Sequence, residues 1–191
     1  MEKKLLISAK NISYKINDNK LFHNLSFDLE EGEAIHICGK NGSGKSTLLR
    51  ILLGLTNQTK GSIGKNLLKE VCFLGHKNAV KSYLSLEDNI HLMELHNHPK
   101  LQEYINLLNL KKYLHVIVAN LSFGQQKRLA LLRVFLNNSE LLVLDEPFVG
   151  LDSKSQLILT QFLNNELLNN KGLVYTSHIS CDIEAKKIII E

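Results

Sequence analysis

Cysteine is scarce, proline rarer, and long apolar runs are missing. The three cysteines of the 191 residues stand at 38, 72 and 181, an odd number with no C-x-x-C pair. That excludes a disulfide scaffold and implies a reducing compartment. Proline occurs twice, and no low-complexity linker divides the chain. No stretch approaches 18 consecutive apolar residues, which excludes a membrane-spanning helix. The start, M-E-K-K-L-L-I-S-A, holds an apolar patch too short for a signal-peptide core, so a cytoplasmic location is expected. There is no basic block. Lys3-Lys4 and Lys111-Lys112 are pairs, and a net charge of +4 is too mild to imply nucleic acid.

What remains is an ordinary globular composition, 44% hydrophobic and 22% charged, with length for one large domain. Leu5 to Tyr14 and Leu21 to Leu29 read as strands with Asn17-Asp18-Asn19 as the turn between them. Ala34 to Cys38, Val71 to Leu74, Leu141 to Leu144, Leu173 to Thr176 and Lys187 to Ile190 read as further strands. Cys38 and Cys72 fall inside apolar runs and read as small core residues. Helices are expected from about Gly44 to Gly54 and from Ser153 to Leu168. Leu86, Ile90, Met93, Leu101, Ile105 and Leu108 recur at helical spacing, with Pro99 separating two helices. The fold class is therefore α/β, with a mainly parallel core sheet wrapped by helices. Residues of about 82–138 are expected as a helical subdomain inserted in a single domain spanning 1–191.

Three motifs carry chemistry. Gly39, Lys40, Asn41, Gly42, Ser43, Gly44, Lys45, Ser46 and Thr47 fit G-x-x-x-x-G-K-[ST] between a strand and a helix. Glycines let backbone N–H groups curl around phosphate oxygens, and the helix points its positive end at them. Lys45 adds a charge near the β and γ phosphates, and the Ser46 hydroxyl can join a Mg²⁺ shell. The competing reading is a glycine-rich turn with a surface lysine. L-L-V-L-D-E-P, Leu141 to Pro147, is a buried strand ending in two acids. Ligands bind at that end of parallel sheets. Asp145 can hold Mg²⁺, and Glu146 can polarise an attacking water. L-S-F-G-Q-Q-K-R, Leu121 to Arg128, opens an apolar-periodic helix with a capping box between Ser122 and Gln125.

Together and in this order, the three motifs resemble those of ABC-transporter ATPases, and the resemblance covers essentially the whole chain. It implies an α/β P-loop nucleotide-binding domain of the ABC type, with an antiparallel β part. It implies an ATPase that uses ATP and Mg²⁺, closes as a homodimer or ABC dimer, and powers integral membrane subunits from the inner face of the cell membrane. It assigns Ser122, Gly124 and Gln125 to the nucleotide held by the partner chain. It makes Val149-Gly150-Leu151-Asp152 the loop between subunits and His178 the histidine at the γ-phosphate. It assigns adenine stacking to Tyr14, with Ile16 as the alternative register.

His76 ends the strand-like run V-C-F-L-G-H, where that family normally has a glutamine. It reads as a replacement polar contact at the nucleotide, with a capping or packed histidine and a transition-metal ligand as alternatives. F-L-G-H, L-S-L-E-D-N-I and D-E-P-F resemble the haem-exporter ATP-binding subunits of cytochrome c maturation. That subgroup implies membrane partners of the cytochrome c maturation type. Another exporter, a soluble assembly ATPase, or an ATP-sensing module with little hydrolysis are the other readings. His91, His96 and His98 read as polar residues on and past an exposed helix, with a metal or haem role as the alternative.

Overall fold

Five parallel strands and a three-stranded antiparallel sheet carry the architecture of the computed structural model, which describes residues 3–17 and 19–190. Met1, Glu2, Asp18 and Glu191 lie outside the described residues, Asp18 in the turn expected between the first two strands. β1 (Leu5–Ile16) pairs antiparallel with β2 (Asn19–Glu30) and with β4 (Lys60–Lys65). The larger sheet joins β3 (Ala34–Gly39), β5 (Val71–Leu74), β6 (Leu141–Asp145), β7 (Gly172–Thr176) and β8 (Lys186–Ile190). Its order is β5-β6-β7-β3-β8, and every pairing is parallel.

β6 and β7 are buried along their whole length. Neither alternates apolar with polar, as expected of strands covered on both faces. Successive side chains point to opposite faces and so build two cores. Leu141, Val143 and Val174 join α1 (Lys45–Leu53) and the inner face of β1. Leu142, Leu144 and Tyr175 join α4 (Phe123–Phe135) and α5 (Ser153–Leu168). Two short helices, α2 (Leu86–Leu92) and α3 (Leu101–Leu107), lie with α4 in the chain between β5 and β6. Ile90 and Ile105 pin α2 and α3 to the core that α4 shares.

Parallel pairing has one consequence for function. The C-terminal ends of β3, β5, β6 and β7 emerge on one edge, at neighbouring positions about 4.8 Å apart. Gly39 leads out of β3, His76 follows β5 by two residues, Asp145 ends β6, and His178 follows β7 by two residues. The register aligns Asp145 with Thr176 and Leu74 with Leu144.

Some expectations shift. β4 was not expected, and β1 and β2 run past their expected ends. Asn19 already belongs to β2, and Asn17 turns with φ 53°. Met93 terminates α2 instead of extending it. Cys38 and Cys72 are half-buried, not core. Burial still pushes the Cys72 thiol up to about 11, with Arg133 pulling the other way. At pH 8 its thiolate is therefore scarce. Iodoacetamide should alkylate folded Cys72 about a hundredfold more slowly than Cys72 in the denatured chain, as peptide mapping of time-quenched samples would record.

Candidate nucleotide site

The loop after β3 is shaped by what its glycines prevent. A Cβ on Gly39 would stand 2.4 Å from the Ile190 carbonyl oxygen and 2.5 Å from Ser43 Oγ. Gly44, the N-cap of α1, has φ 103°, a conformation side chains rarely allow. The loop can thus pass close to β8 and open its amides at the start of α1. Lys45 is buried and folds back over the loop, donating to the carbonyls of Gly39 at 2.8 Å and Lys40 at 3.0 Å. Ser43 Oγ is buried without a hydrogen-bond partner.

A cleft of about 570 Å³ opens above this loop. Asn41, Gly42, Gly44, Lys45, Ser46 and Thr47 line one side. His76, Asp145, Glu146, Val149 and His178 line the other. Gly39, Lys40 and Ser43 belong to the same loop but do not line the cleft. A hydrogen-bonded chain fixes the acids: the Glu146 N–H donates to Thr176 Oγ1 at 2.9 Å, and the Thr176 hydroxyl donates to Asp145 Oδ1 at 2.7 Å. Glu146 Oε2 accepts from the His178 N–H at 3.2 Å. Its Oε1 is buried, lies 3.4 Å from His178 Nε2, and makes no hydrogen bond. A carboxylate oxygen held beside a phosphate loop with its hydrogen-bonding capacity unused can take a proton from water.

The donor set suits a hard divalent cation. Ser46 offers a hydroxyl and Asp145 a carboxylate whose orientation is set by Thr176, and oxygen donors of this kind fit Mg²⁺. Among the described residues, no group of three or more His, Cys, Asp or Glu is placed to hold a metal by itself. That leaves His91, His96 and His98 without a shared site; His91 stacks on His96 at 4.4 Å instead. His76 is exposed on the cleft wall, so it is not packed, and the N-cap of the next helix, α2, is Ser85, not His76.

Of the two registers expected at the base, Tyr14 does not line the cleft and Ile16 does. Tyr14 sits opposite Phe22 in β2 and stacks on that ring at 6.1 Å, outside the cleft. Ile16, one pleat nearer the hairpin end, lines the cleft together with Leu21. The register shifts after Tyr14, so the apolar wall falls on these two residues.

Ser122, Gly124 and Gln125 do not line the cleft of their own chain. Ser122 is exposed at the start of α4 and accepts from the Gln125 N–H at 3.3 Å. Gln125 Oε1 accepts from the Ser122 N–H at 2.8 Å, so its oxygen is committed to the cap. Gly124 lies against the segment after β6: a Cβ there would stand 2.5 Å from the Gly150 carbonyl oxygen. Gly150, at φ 81°, lies under the Phe123 ring.

Three contributors escaped the sequence reading. Thr176 carries the bridge between the acids. Lys127 is 1% exposed and donates from Nζ to the Glu146 carbonyl at 3.0 Å. Burial pushes its ammonium down to about 8, with Asp145 and Glu146 pulling it up. Arg133 donates to the Asn78 carbonyl at 2.8 Å and the Ala79 carbonyl at 3.3 Å, holding the segment that follows His76. The signal for Lys127 was its position four residues before Leu131, on a stripe that is otherwise core.

Comparison with known proteins gives this geometry a setting. The family described as ABC transporter matches residues 22–149. The chain is similar to the cytochrome c biogenesis ATP-binding export protein CcmA of Legionella pneumophila, 32% identical, with 91% of this chain and 92% of that protein covered. CcmA of Vibrio vulnificus is 32% identical, with 96% and 97% covered. Among solved structures, a dimeric ATP-binding cassette in a post-hydrolysis state with ADP and Pi is 25% identical at TM-score 0.75, covering 91% of this chain and 88% of its own. An ATP-binding subunit of an ABC transporter is 22% identical and shares the fold at TM-score 0.81, covering 97% and 85%.

Proposed function

This chain belongs to the ABC transporter family as an ATP-binding subunit with an ABC ATPase domain, and from that membership we propose that it powers the haem-export system of cytochrome c maturation. The naming of relatives that match over most of their length supports the pathway. The unused Oε1 of Glu146 in the phosphate-loop cleft carries the hydrolytic reading.

Each residue then has a part. The amides from Gly42 to Thr47 receive the phosphates, and Lys45 exchanges its loop carbonyls for phosphate oxygens. Ser46 and Asp145 would hold Mg²⁺, which offsets phosphate charge when bound. Glu146 accepts the proton of the attacking water. His178 steadies the γ-phosphate, and His76 supplies a polar contact from the adjacent strand end. Ile16 and Leu21 offer the base an apolar wall. Ser122 and Gly124, which do not line their own cleft, complete the site of a second copy. The chain works at the cytoplasmic face beside integral membrane subunits.

Affinity purification of the chain from gently solubilised native membranes tests the pathway. Integral proteins of the cytochrome c maturation machinery should come with it. A different membrane transporter recovered in stoichiometric amount would replace the haem assignment and leave the ATPase intact.

A further inference from the structure

α4 begins where a second copy's nucleotide is expected and, within its second turn, reaches under the acids of its own site. We propose that Lys127 is a positioning residue that couples the two nucleotide sites of a dimer, by anchoring the Glu146 carbonyl to the helix whose first turn meets the partner's phosphate. This rests on the ATPase reading above.

Burial is the first observation. Lys127 is 1% exposed, and its ammonium has one described hydrogen bond, to the Glu146 carbonyl oxygen at 3.0 Å. For stability alone this is a poor arrangement. Desolvating a cation against one neutral acceptor costs more than packing an apolar side chain of similar volume there. The second observation is what the bond holds. Glu146 has φ 49°, the left-handed region that non-glycine residues rarely adopt, and such conformations persist only where their surroundings over-determine them. On one side the Glu146 N–H is held by Thr176; on the other its carbonyl is held by Lys127. The strained turn that aims the carboxylate is thus clamped from the sheet and from α4.

Continuity is the third. Ser122 caps α4, Gly124 touches Gly150, and Lys127 follows within the same hydrogen-bonded helix. A helix start that settles on a phosphate carries its second turn with it. The ammonium, bonded to the Glu146 carbonyl at 3.0 Å, thereby ties the position of the Glu146 turn in its own chain to the way α4 is seated on the other nucleotide. Hydrolysis at the two sites becomes cooperative.

Steady-state ATPase assays on the full chain with its membrane partner, for the parent, K127M and K127R, test this alongside fluorescent-nucleotide binding and thermal melting. The parent should show a Hill coefficient above 1. K127M should lose roughly 10- to 100-fold in kcat, the scale of an ångström misplacement, with nucleotide affinity within about threefold and a Hill coefficient near 1. K127R, which keeps a cationic donor, should restore most of the rate and the cooperativity. If K127M fails to fold, K127Q, with a shorter neutral donor, takes its place with the same expectation. A variant that keeps the parental rate and Hill coefficient overturns the proposal, as does an equal loss of affinity and rate. A parent that binds nucleotide without turnover overturns the ATPase reading and the positioning role with it; a parent that turns over separates the two failures.

Discussion

Glu146→Gln should bind ATP as tightly as the parent chain and hydrolyse it about 10² to 10⁴ times more slowly, the usual scale for a positioned base. The substitution keeps the shape and an acceptor for the His178 N–H that bonds Oε2 at 3.2 Å. It replaces an oxygen that has no hydrogen-bond partner with a group unable to accept the water's proton at neutral pH. Phosphate loop, Thr176 bridge and Lys127 contact all involve other atoms and stay in place. Single-turnover phosphate release with an independent binding isotherm measures both halves. Turnover within a few-fold of the parent would remove Glu146 from the chemistry and move the search to the histidines lining the cleft.

Gly124→Ala should be the second most damaging change, for a steric reason. The Cβ would stand 2.5 Å from the Gly150 carbonyl oxygen, an approach real Cβ atoms essentially never show. That oxygen is backbone and cannot rotate away. Either the first turn of α4 or the loop after Phe148 must retreat by about half an ångström or more. On the proposed reading these two segments present Ser122 and the intersubunit loop to the second copy. Losses of the order of 10²-fold in kcat follow from displacements of about that size. ATP binding to the isolated chain should be unaffected, because Gly124 lies outside the cleft of its own chain. Parallel measurement of affinity and rate checks this. A loss of affinity matching the loss of rate would place Gly124 in the chain's own pocket.

Much of this was readable from residues. The parallel strands announced themselves as short apolar runs, because strands buried on both faces need no alternation. The phosphate loop and the acidic pair were legible because their chemistry depends on residue type at fixed spacing. β4 was not legible: K-G-S-I-G-K has two glycines and one large apolar residue, and it becomes a strand only because β1 offers an open edge. Tyr14 was chosen for its ring, yet pairing register decided which residue reaches the cleft, and that depends on irregularities after Tyr14 that no local pattern reveals. Lys127 and Arg133 were hidden by their charge. Only the packing of α4 against β5 and β6 makes both internal donors. Thr176 was in plain view beside His178, but its bridge requires the register that sets it opposite Asp145.

The central claim is that a nucleotide site is completed by a second copy of this chain. Light scattering of Glu146→Gln, with and without ATP and Mg²⁺, tests it most directly, since slowed hydrolysis should leave the closed form long-lived. The account predicts a monomer mass without nucleotide that doubles at saturating ATP. It also predicts that Ser122→Arg in the same background, which blocks the exposed cap, abolishes the doubling while ATP still binds. A monomer mass at saturating ATP, with binding confirmed in the same sample, would contradict it.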